Sequence, residues 1–237
     1  MLNTQPREKT NRTHSLDGSV EVIKVWATIQ GEGPFAGKPA IFVRIAGCNL
    51  TCSFCDTQYT IGRLSKTPDE VLDMIVSALS TAKVFIPNPL VVLTGGEPLR
   101  QDIGPLCSYL GNRGIRVQIE TNGTLYLPTL PFRDVTIVCS PKTKYLNPKL
   151  QPHIAALKYV IQDGSVDPID GLPTKTLGNE WGVARPDPHL ARPEIYVQPL
   201  DQQDPDCNAK NLAATVQSCL QFGYRLCLQV HKIANLE

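Results

Sequence analysis

The chain of 237 residues combines 42% hydrophobic with 19% charged residues. This composition excludes intrinsic disorder over most of the length, because ample apolar surface is available to form a core, and the length favours one large domain. The 23 lysines and arginines nearly balance the 22 aspartates and glutamates, so no overall basic field predicts direct binding of nucleic acid. The sequence contains no run of about eighteen apolar residues, and we therefore expect no transmembrane helix and no membrane partner.

The first nineteen residues are polar and lack the apolar stretch of a secretion signal. We expect residues 1–19 to be a disordered extension and residues 20–237 to form the domain. A cytoplasmic, reducing compartment is the default expectation. In that compartment the eight cysteines are better explained as metal ligands, catalytic groups or buried small side chains than as disulfide partners.

Short runs rich in β-branched residues predict strands throughout this domain. The predicted strands cover residues 40–45, 90–94, 116–120, 135–139, 157–161, 195–198 and 225–230. The run at 90–94 is almost entirely apolar, which is typical of a strand that is buried on both faces of a parallel sheet.

Three helices are predicted between these strands. Thr67, Pro68 and Glu70 provide the N-cap, first-turn proline and capping-box residue of the first. A weaker second helix ends near Gly114, and Asn208 is predicted to cap the last one, which ends at a glycine. The apolar face of that last helix is predicted to consist of Leu212, Ala213, Val216 and Leu220.

Alternating strands and helices imply a parallel sheet. The chain offers about six parallel strands but few convincing helices, too few for a complete eight-fold barrel. We therefore predict an α/β fold that forms a partial, open (β/α) barrel. Residues 167–193 contain five prolines and no periodicity, which predicts an insertion or a lid.

Three cysteines follow the first of these strands. Cys48, Cys52 and Cys55 are spaced so that their thiols can converge on one metal centre. Three thiolates leave a tetrahedral zinc ion one ligand short, which a remote His or Cys would have to supply. A cubane iron–sulfur cluster held by three cysteines instead keeps one iron open for a small molecule. A third alternative is three unrelated buried cysteines.

Polar turns follow four other predicted strands. The turns are residues 94–98 (TGGEP), 120–123 (ETNG), 140–142 (SPK) and 198–201 (QPLD). Glycines let a ligand approach the backbone closely, and the carboxylate of Glu97 can pair with an ammonium group. Each turn alone is a weak signal, but the carboxyl ends of parallel strands share one rim. We therefore expect one site at that rim.

The spacing C-x3-C-x2-C, with the aromatic Phe54 before the third cysteine, resembles the radical S-adenosylmethionine (SAM) superfamily. The match is closer to one family within it. Residues 28–37 (TIQGEGPFAG), Arg44, Asp56–Thr57 and residues 228–237 (LQVHKIANLE) together resemble the 7-carboxy-7-deazaguanine synthases. The resemblance covers almost the whole predicted domain apart from the proline-rich stretch.

The resemblance implies a radical carbon–nitrogen lyase that holds a [4Fe–4S] cluster and uses SAM and Mg²⁺. Its substrate would be 6-carboxy-5,6,7,8-tetrahydropterin, which is contracted to 7-carboxy-7-deazaguanine with release of ammonia, on the route to the precursor of queuosine. SAM would be cleaved to methionine and a 5′-deoxyadenosyl radical and then regenerated. A flavodoxin or ferredoxin would supply the electron, and a homodimer is the family expectation.

The resemblance also implies roles for individual residues. The three cysteines would bind the cluster, Thr57 would bind Mg²⁺, and Glu120 would act in catalysis near the SAM ribose or the substrate. The residues implied to bind SAM are Gly96, Glu97, Ser140, Pro141, Lys142, Gln198, Pro199, Leu200 and Asp201. Those implied to bind the pterin are Ile29, Gln30, Gly31, Arg44, Thr94 and Glu237, the last through a terminal carboxylate.

Two other functions fit parts of the pattern. A radical SAM activase that abstracts hydrogen from a glycine of a partner protein shares the cysteine spacing, but it does not need the loop at 28–37. A zinc-stabilised binding module without catalysis would explain the cysteines alone. His231 is interpreted as either structural or catalytic. The remaining cysteines on apolar faces, interpreted as packing residues, are Cys107, Cys219 and Cys227.

Overall fold

The computed structural model describes residues 5–10, 15–53, 55, 57–86, 89–175, 182–190 and 193–236. Phe54, Asp56 and Glu237, which are named above, lie outside the described residues. The strands are β1 (Val20–Ile29), β2 (Pro39–Ile45), β3 (Leu64–Lys66), β4 (Leu90–Gly95), β5 (Arg116–Thr121), β6 (Val135–Cys139), β7 (Ile154–Ile161), β8 (Glu194–Pro199) and β9 (Arg225–Leu226).

These strands form one sheet in the order β3-β1-β2-β4-β5-β6-β7-β8-β9. From β2 to β9 every neighbouring pair is parallel, whereas β1 runs antiparallel to β2 and β3. Strands β2 and β4 to β8 correspond to the first six of the seven predicted strands. Within the described residues β3 and β9 remain the two edges, so the predicted partial, open barrel is confirmed.

The helices are α1 (Pro68–Thr81), α2 (Gly104–Gly111), α3 (Pro205–Phe222) and α4 (Val230–Ile233). The predicted capping box of α1 is confirmed: the Thr67 hydroxyl accepts the Glu70 N–H, and the Glu70 carboxylate accepts the Thr67 N–H. In the described residues no α-helix connects β5 to β6, β6 to β7 or β7 to β8. Prolines recur in these connections and interrupt helices, which explains why helices are few. No described helix is both long and apolar enough to cross a membrane.

Side chains of the sheet alternate between its two faces. The odd-numbered residues Val43, Leu93 and Ile119 are fully buried and belong to the main hydrophobic core, together with residues of α1 and α2. Even-numbered residues such as Arg44 and Lys158 lie on the other face, where they line a cavity. Because successive side chains of a strand point to opposite faces, one face of the sheet packs on the helices and the other carries the polar groups of the cavity.

The predicted start of α3 is wrong, although its end is confirmed. Asp204, and not Asn208, is the N-cap, because its carboxylate accepts the Cys207 N–H at 2.8 Å. Asn208 lies one turn inside the helix. The helix ends at Gly223, whose φ of +74° is the left-handed conformation that glycine adopts readily.

The predicted buried face of α3 is also wrong. The residues expected to face the core are exposed, namely Leu212, Ala213, Val216 and Leu220. The helix instead buries Asn211, Thr215 and Ser218. The Asn211 side chain donates to the Leu200 carbonyl and accepts the Asp163 N–H, each at 2.8 Å. Buried backbone groups of the adjacent loops need such partners, so a polar helix face packs against them.

The last predicted strand is wrong beyond its first two residues. Strand β9 covers only Arg225–Leu226, and the chain then enters α4 at Val230. Strands β1 and β3 have no counterpart among the predicted strands. Both lie at the antiparallel edge of the sheet, where β1 pairs with β2 and β3 pairs with β1.

The described part of the proline-rich segment 167–193 packs on α3 and β7. The Ser218 hydroxyl of α3 donates to the Gly171 carbonyl at 2.6 Å, and the Tyr159 hydroxyl of β7 donates to the Ala184 carbonyl at 2.8 Å. None of its described residues lines the cavity. The role of this segment as an insertion or a lid stays a prediction.

Residues 5–10 of the N-terminal extension contact the cysteine loop, and the predicted disorder of the extension as a whole stays a prediction. Gln5 and Glu8 form hydrogen bonds and ion pairs with residues in and after the cysteine loop. Polar composition suggested disorder, but here the polar side chains are used for contacts with another polar loop.

Candidate active site

A cavity of about 480 Å³ lies at the carboxyl ends of the parallel strands. The predicted site residues that line it are Ile29, Gln30, Arg44, Cys48, Cys52, Cys55, Thr57, Thr94, Gly96, Glu120, Ser140, Lys142, Gln198, Pro199, Leu200 and Asp201. Gly31, Glu97 and Pro141 are not among its lining residues. The structure thus brings residues that are far apart in the sequence to one rim.

The three cysteines lie in the loop between β2 and β3. Gly47 begins this loop with a φ of +78°, which favours glycine, and its N–H donates to the Tyr59 carbonyl at 2.8 Å. The Cys55 N–H donates to the Cys52 carbonyl at 3.2 Å. Burial raises the pKa of Cys48 to about 12, so a thiolate at this position requires a positive charge such as bound iron supplies.

The donor set fits an iron–sulfur cluster. Ligands about 2.3 Å from one zinc ion place their sulfurs about 3.8 Å apart. In the part of the chain that the structure describes, no three His, Cys, Asp or Glu side chains are arranged to hold one ion in this way. Cysteines that bind a cubane bind different irons, so their sulfurs stand farther apart. Cys48, Cys52 and Cys55 all line the cavity, so their thiols share one site.

The glycine turn after β4 packs directly on the cysteine loop. A Cβ on Gly96 would overlap the Gly47 carbonyl oxygen and lie 2.8 Å from the Cβ of Cys48. A Cβ on Gly95, whose φ is +138°, would overlap the Ile45 carbonyl oxygen. Only glycine fits at both positions, and the close packing places the polar turn beside the thiols.

Glu97 lies behind the cavity wall. Its carboxylate accepts hydrogen bonds from the Leu99 N–H (3.0 Å), the Thr121 hydroxyl (2.7 Å) and the Asn122 N–H (2.7 Å). Burial raises the pKa of Glu97 to about 7 although these three donors oppose the shift. The side chain therefore joins the turn after β4 to the turn after β5, and its contact with SAM stays a prediction.

A buried ion-pair network that the sequence did not reveal forms another wall. The Lys158 ammonium lies between two carboxylates and pairs with Glu32 and, at 3.1 Å, with Glu120. The Gln229 amide donates to Glu32 at 2.9 Å, and the Gln118 amide donates to Glu120 at 2.6 Å. Every oxygen of the two carboxylates therefore has a donor.

Charge and burial compete in this network. Burial raises the pKa of Glu32, but the Lys158 charge and hydrogen bonds from Lys158 and Gln229 outweigh it and lower the pKa to about 2. Burial likewise lowers the pKa of Lys158, but the carboxylates of Glu120 and Glu32 outweigh it and raise the pKa. Glu32 and Lys158 are accordingly both charged at neutral pH.

The C-terminal helix α4 closes a further side of the cavity. His231 and Lys232 both line it. His231 packs tightly on Gly31, since a Cβ on that glycine would overlap the imidazole, and the Val230 N–H donates to the Gly31 carbonyl at 3.2 Å. The loop at 28–37 and the C-terminal motif, which are distant in sequence, therefore meet at one wall.

An aromatic surface lies beside Arg44. The rings of Trp26 and Phe42 are 5.3 Å apart, and the Arg44 guanidinium lies 4.8 Å from the Trp26 ring. All three side chains line the cavity. An aromatic surface with an adjacent guanidinium suits a flat, anionic ligand.

Comparisons with known proteins agree with this geometry. Residues 42–131 match the radical SAM superfamily. The chain is 47% identical to the 7-carboxy-7-deazaguanine synthase of Rhodospirillum rubrum, over 92% of this chain and 93% of that protein. It is 40% identical to the enzyme of the same name from Rickettsia prowazekii, over 93% and 91%. The crystal structure of QueE from Escherichia coli shares the fold, with a TM-score of 0.65 and 21% identity over 89% of this chain and 94% of that one.

The open parallel sheet, the three thiols after its first parallel strand and the superfamily match define a radical SAM enzyme, a class whose members hold a [4Fe–4S] cluster and bind SAM. The residues present fit both groups. Given its identity to relatives over more than nine-tenths of their length, the chain belongs to the 7-carboxy-7-deazaguanine synthase family of radical SAM lyases. This membership argues against the zinc module and against the activase of a partner protein.

Proposed function

We propose that the protein converts 6-carboxy-5,6,7,8-tetrahydropterin to 7-carboxy-7-deazaguanine and ammonia, with SAM as a cofactor and with Mg²⁺. The observation that carries the proposal is the shared cavity, which is lined by the three thiols, the glycine turn, Arg44 and Lys158. The names of the relatives support the substrate. The product would serve the synthesis of a queuosine precursor.

When bound, the cluster and SAM supply the 5′-deoxyadenosyl radical that removes a hydrogen atom from the substrate. The chain must bind SAM at the ends of the parallel strands. We assign this to Gly96 after β4, to residues 140–142 after β6 and to residues 198–201 after β8. Lys142 donates to the Ser140 hydroxyl at 2.8 Å, which fixes a polar pair on that rim.

The pterin is assigned to the opposite wall. Trp26 and Phe42 offer a surface for its flat rings, and Arg44 offers a charge for its carboxylate. Ile29, Gln30 and Thr94 extend the same surface, and Gly31 positions His231 beside it. Glu120 is the proposed catalytic carboxylate, and Lys158 orients it through the 3.1 Å ion pair. The Lys158 ammonium has three N–H donors. Glu32 and Glu120 accept two of them, which leaves one.

Mg²⁺ is proposed to bind near Thr57, since this hydroxyl lines the cavity and Mg²⁺ prefers oxygen ligands. Thr57→Val keeps the shape of the side chain but removes the oxygen. Activity should fall and require more Mg²⁺, while iron content stays unchanged. Thr51→Val, at an exposed position in the same loop, is the matched control. An unaltered Mg²⁺ titration of Thr57→Val would remove this residue from the metal site.

We further infer a flavodoxin or ferredoxin as the electron donor, a homodimer as the assembly and the cytoplasm as the location. The donor and the homodimer rest on the family resemblance, and the location is the default expectation from the sequence.

An anaerobic turnover assay tests the proposed function. Reconstituted protein is incubated with SAM, a reductant, Mg²⁺ and carboxytetrahydropterin. The products are then separated and identified by mass spectrometry. We expect 7-carboxy-7-deazaguanine and ammonia in equal amounts. Cys52→Ala should give none, because two thiolates do not hold the cluster, whereas Cys219→Ala, on α3, should retain activity. Cleavage of SAM without this product would show that the substrate is another molecule.

A further inference from the structure

Residues 5–10, here called the N-terminal strap, cross the loop that carries the three cysteines. The strap contacts the loop near both of its ends. The Glu8 N–H donates to the Cys48 carbonyl at 2.8 Å, and Gln5 contacts the backbone just after Cys55. The strap therefore contacts the cysteine loop both at its first thiol and just after its last one.

Gln5 binds the far end of the loop with both polar atoms of its side chain. Its amide N–H donates to the Thr57 carbonyl at 2.6 Å, and its amide oxygen accepts the Tyr59 N–H at 2.8 Å. This is the hydrogen-bonding pattern that a neighbouring strand would provide. The Gln5 side chain thus satisfies the backbone groups of residues 57 and 59, which lie outside the sheet.

Glu8 anchors the strap to the protein interior. Its carboxylate pairs with Arg63 and, at 3.3 Å, with Arg100. The Arg100 side chain is only 3% exposed, and it also donates to the Lys9 carbonyl at 2.9 Å. It lies directly under the start of the cysteine loop, because a Cβ on Gly47 would overlap the guanidinium.

We propose that the N-terminal strap is a clamp that holds the cysteine loop in its cluster-binding conformation, with Gln5 and Glu8 as positioning residues. A loop that must present three thiols to one cluster loses conformational entropy when the cluster binds. A clamp that orders the loop beforehand lowers that cost and slows loss of the cluster. The inference rests on the cluster of the radical SAM family and is independent of the substrate.

The test compares Gln5→Ala, Glu8→Gln and the double variant with Arg7→Gln. Arg7 is exposed within the same strap, so its variant is a matched control. After anaerobic reconstitution, loss of iron to a chelator is followed over time. We expect the double variant to lose iron about tenfold faster than the wild type, about 1.4 kcal/mol, whereas Arg7→Gln loses it at the wild-type rate. Wild-type rates of iron loss in all four variants, or a rate in Arg7→Gln as fast as that of the double variant, would overturn the proposal.

Hydrogen exchange of the iron-free protein gives a second readout that needs neither cluster nor substrate. In Gln5→Ala the amides of residues 48–59, and the Tyr59 amide above all, should exchange faster, while those of β4 and β5 keep their wild-type rates. Uniformly faster exchange throughout the sheet would show a general effect on stability and would contradict a local clamp. Gln5→Ala leaves the buried guanidinium paired, so it answers the question even if Glu8→Gln does not fold.

Discussion

Lys158 occupies the middle of β7 between the buried residues Leu157 and Tyr159. Its partners, Glu32 and Glu120, lie 126 and 38 residues away in the sequence. The local pattern predicts the strand, but it does not identify partners at such distances. A signal was nevertheless present, because a lysine in an otherwise apolar strand must find a counter-charge when it is buried.

Glu32→Gln should destabilise the protein in a pH-dependent way. The folded-state pKa of Glu32, about 2, lies below the ordinary 4.5, so its contribution is complete above pH 4.5 and is lost as the pH falls toward 2. The difference corresponds to about 3 kcal/mol at about 1.36 kcal/mol per pKa unit. Urea unfolding of wild type and variant should differ by about this amount at pH 6, and by about half near pH 3.3.

Glu194→Gln provides the control for that experiment. It removes an ion pair with Arg225 that is exposed to solvent, and such pairs contribute little. A Glu32→Gln difference that stays constant from pH 6 to pH 3 would mean that the charge of Glu32 does not stabilise the fold.

At the scale of elements, the glycine turn and the cysteine loop act as one unit. Gly96→Ala should force them apart, because its Cβ has no room beside the Gly47 carbonyl. Overpacking of this kind costs about 1–3 kcal/mol. We expect weaker binding of SAM by calorimetry and lower retention of iron.

Gly111→Ala is the matched control for this turn. The added Cβ would lie 3.9 Å from the Cβ of Asp134, an ordinary contact, and alanine favours a helix. Wild-type SAM binding in Gly96→Ala would show that the close packing is not required.

Because α3 buries a polar face, we expect substitutions on that face to destabilise the protein more than substitutions of its leucines, whereas the amphipathic pattern predicts the reverse. Asn211→Ala removes the partners of two backbone groups and should reduce the free energy of unfolding by about 1–3 kcal/mol. Leu220→Ala, at a residue that is 82% exposed, should change it by less than about 0.5 kcal/mol. Denaturant unfolding measures both, and a larger loss for Leu220→Ala would restore the sequence-based orientation of the helix.

Elements with short-range signals were predictable from the sequence, and those that depend on their surroundings were not. The capping box at Thr67 involves residues three apart, and the cysteine spacing lies within one loop. The orientation of α3 depends on loop carbonyls such as that of Leu200, which no helical period reveals. Strand β1 carried a usable signal in its β-branched residues, and the omission of β1 left Trp26 out of the predicted site.

For the whole molecule, the parallel orientation of the strands follows from alternating strands and helices, and the common rim of the polar turns follows from that orientation. The composition of the cavity walls required the structure. In the middle of these strands the odd residues Leu93, Ile119 and Tyr159 enter the core, whereas the even residues Thr94, Glu120 and Lys158 line the cavity. In β1 the even residue Val22 lies in the core, but a register shift between Val22 and Lys24 turns the later even residues toward the cavity. This shift places Trp26 beside Phe42.

Hydrogen exchange of the cluster-loaded protein, with SAM alone and then with SAM and carboxytetrahydropterin, tests most directly whether one rim binds both molecules. SAM should slow exchange in residues 94–96, 140–142 and 198–201, and the pterin should add protection in residues 28–32 and 229–232. Protection at these five segments would support the site described above. Tight binding of both molecules with protection confined to other parts of the chain would contradict it.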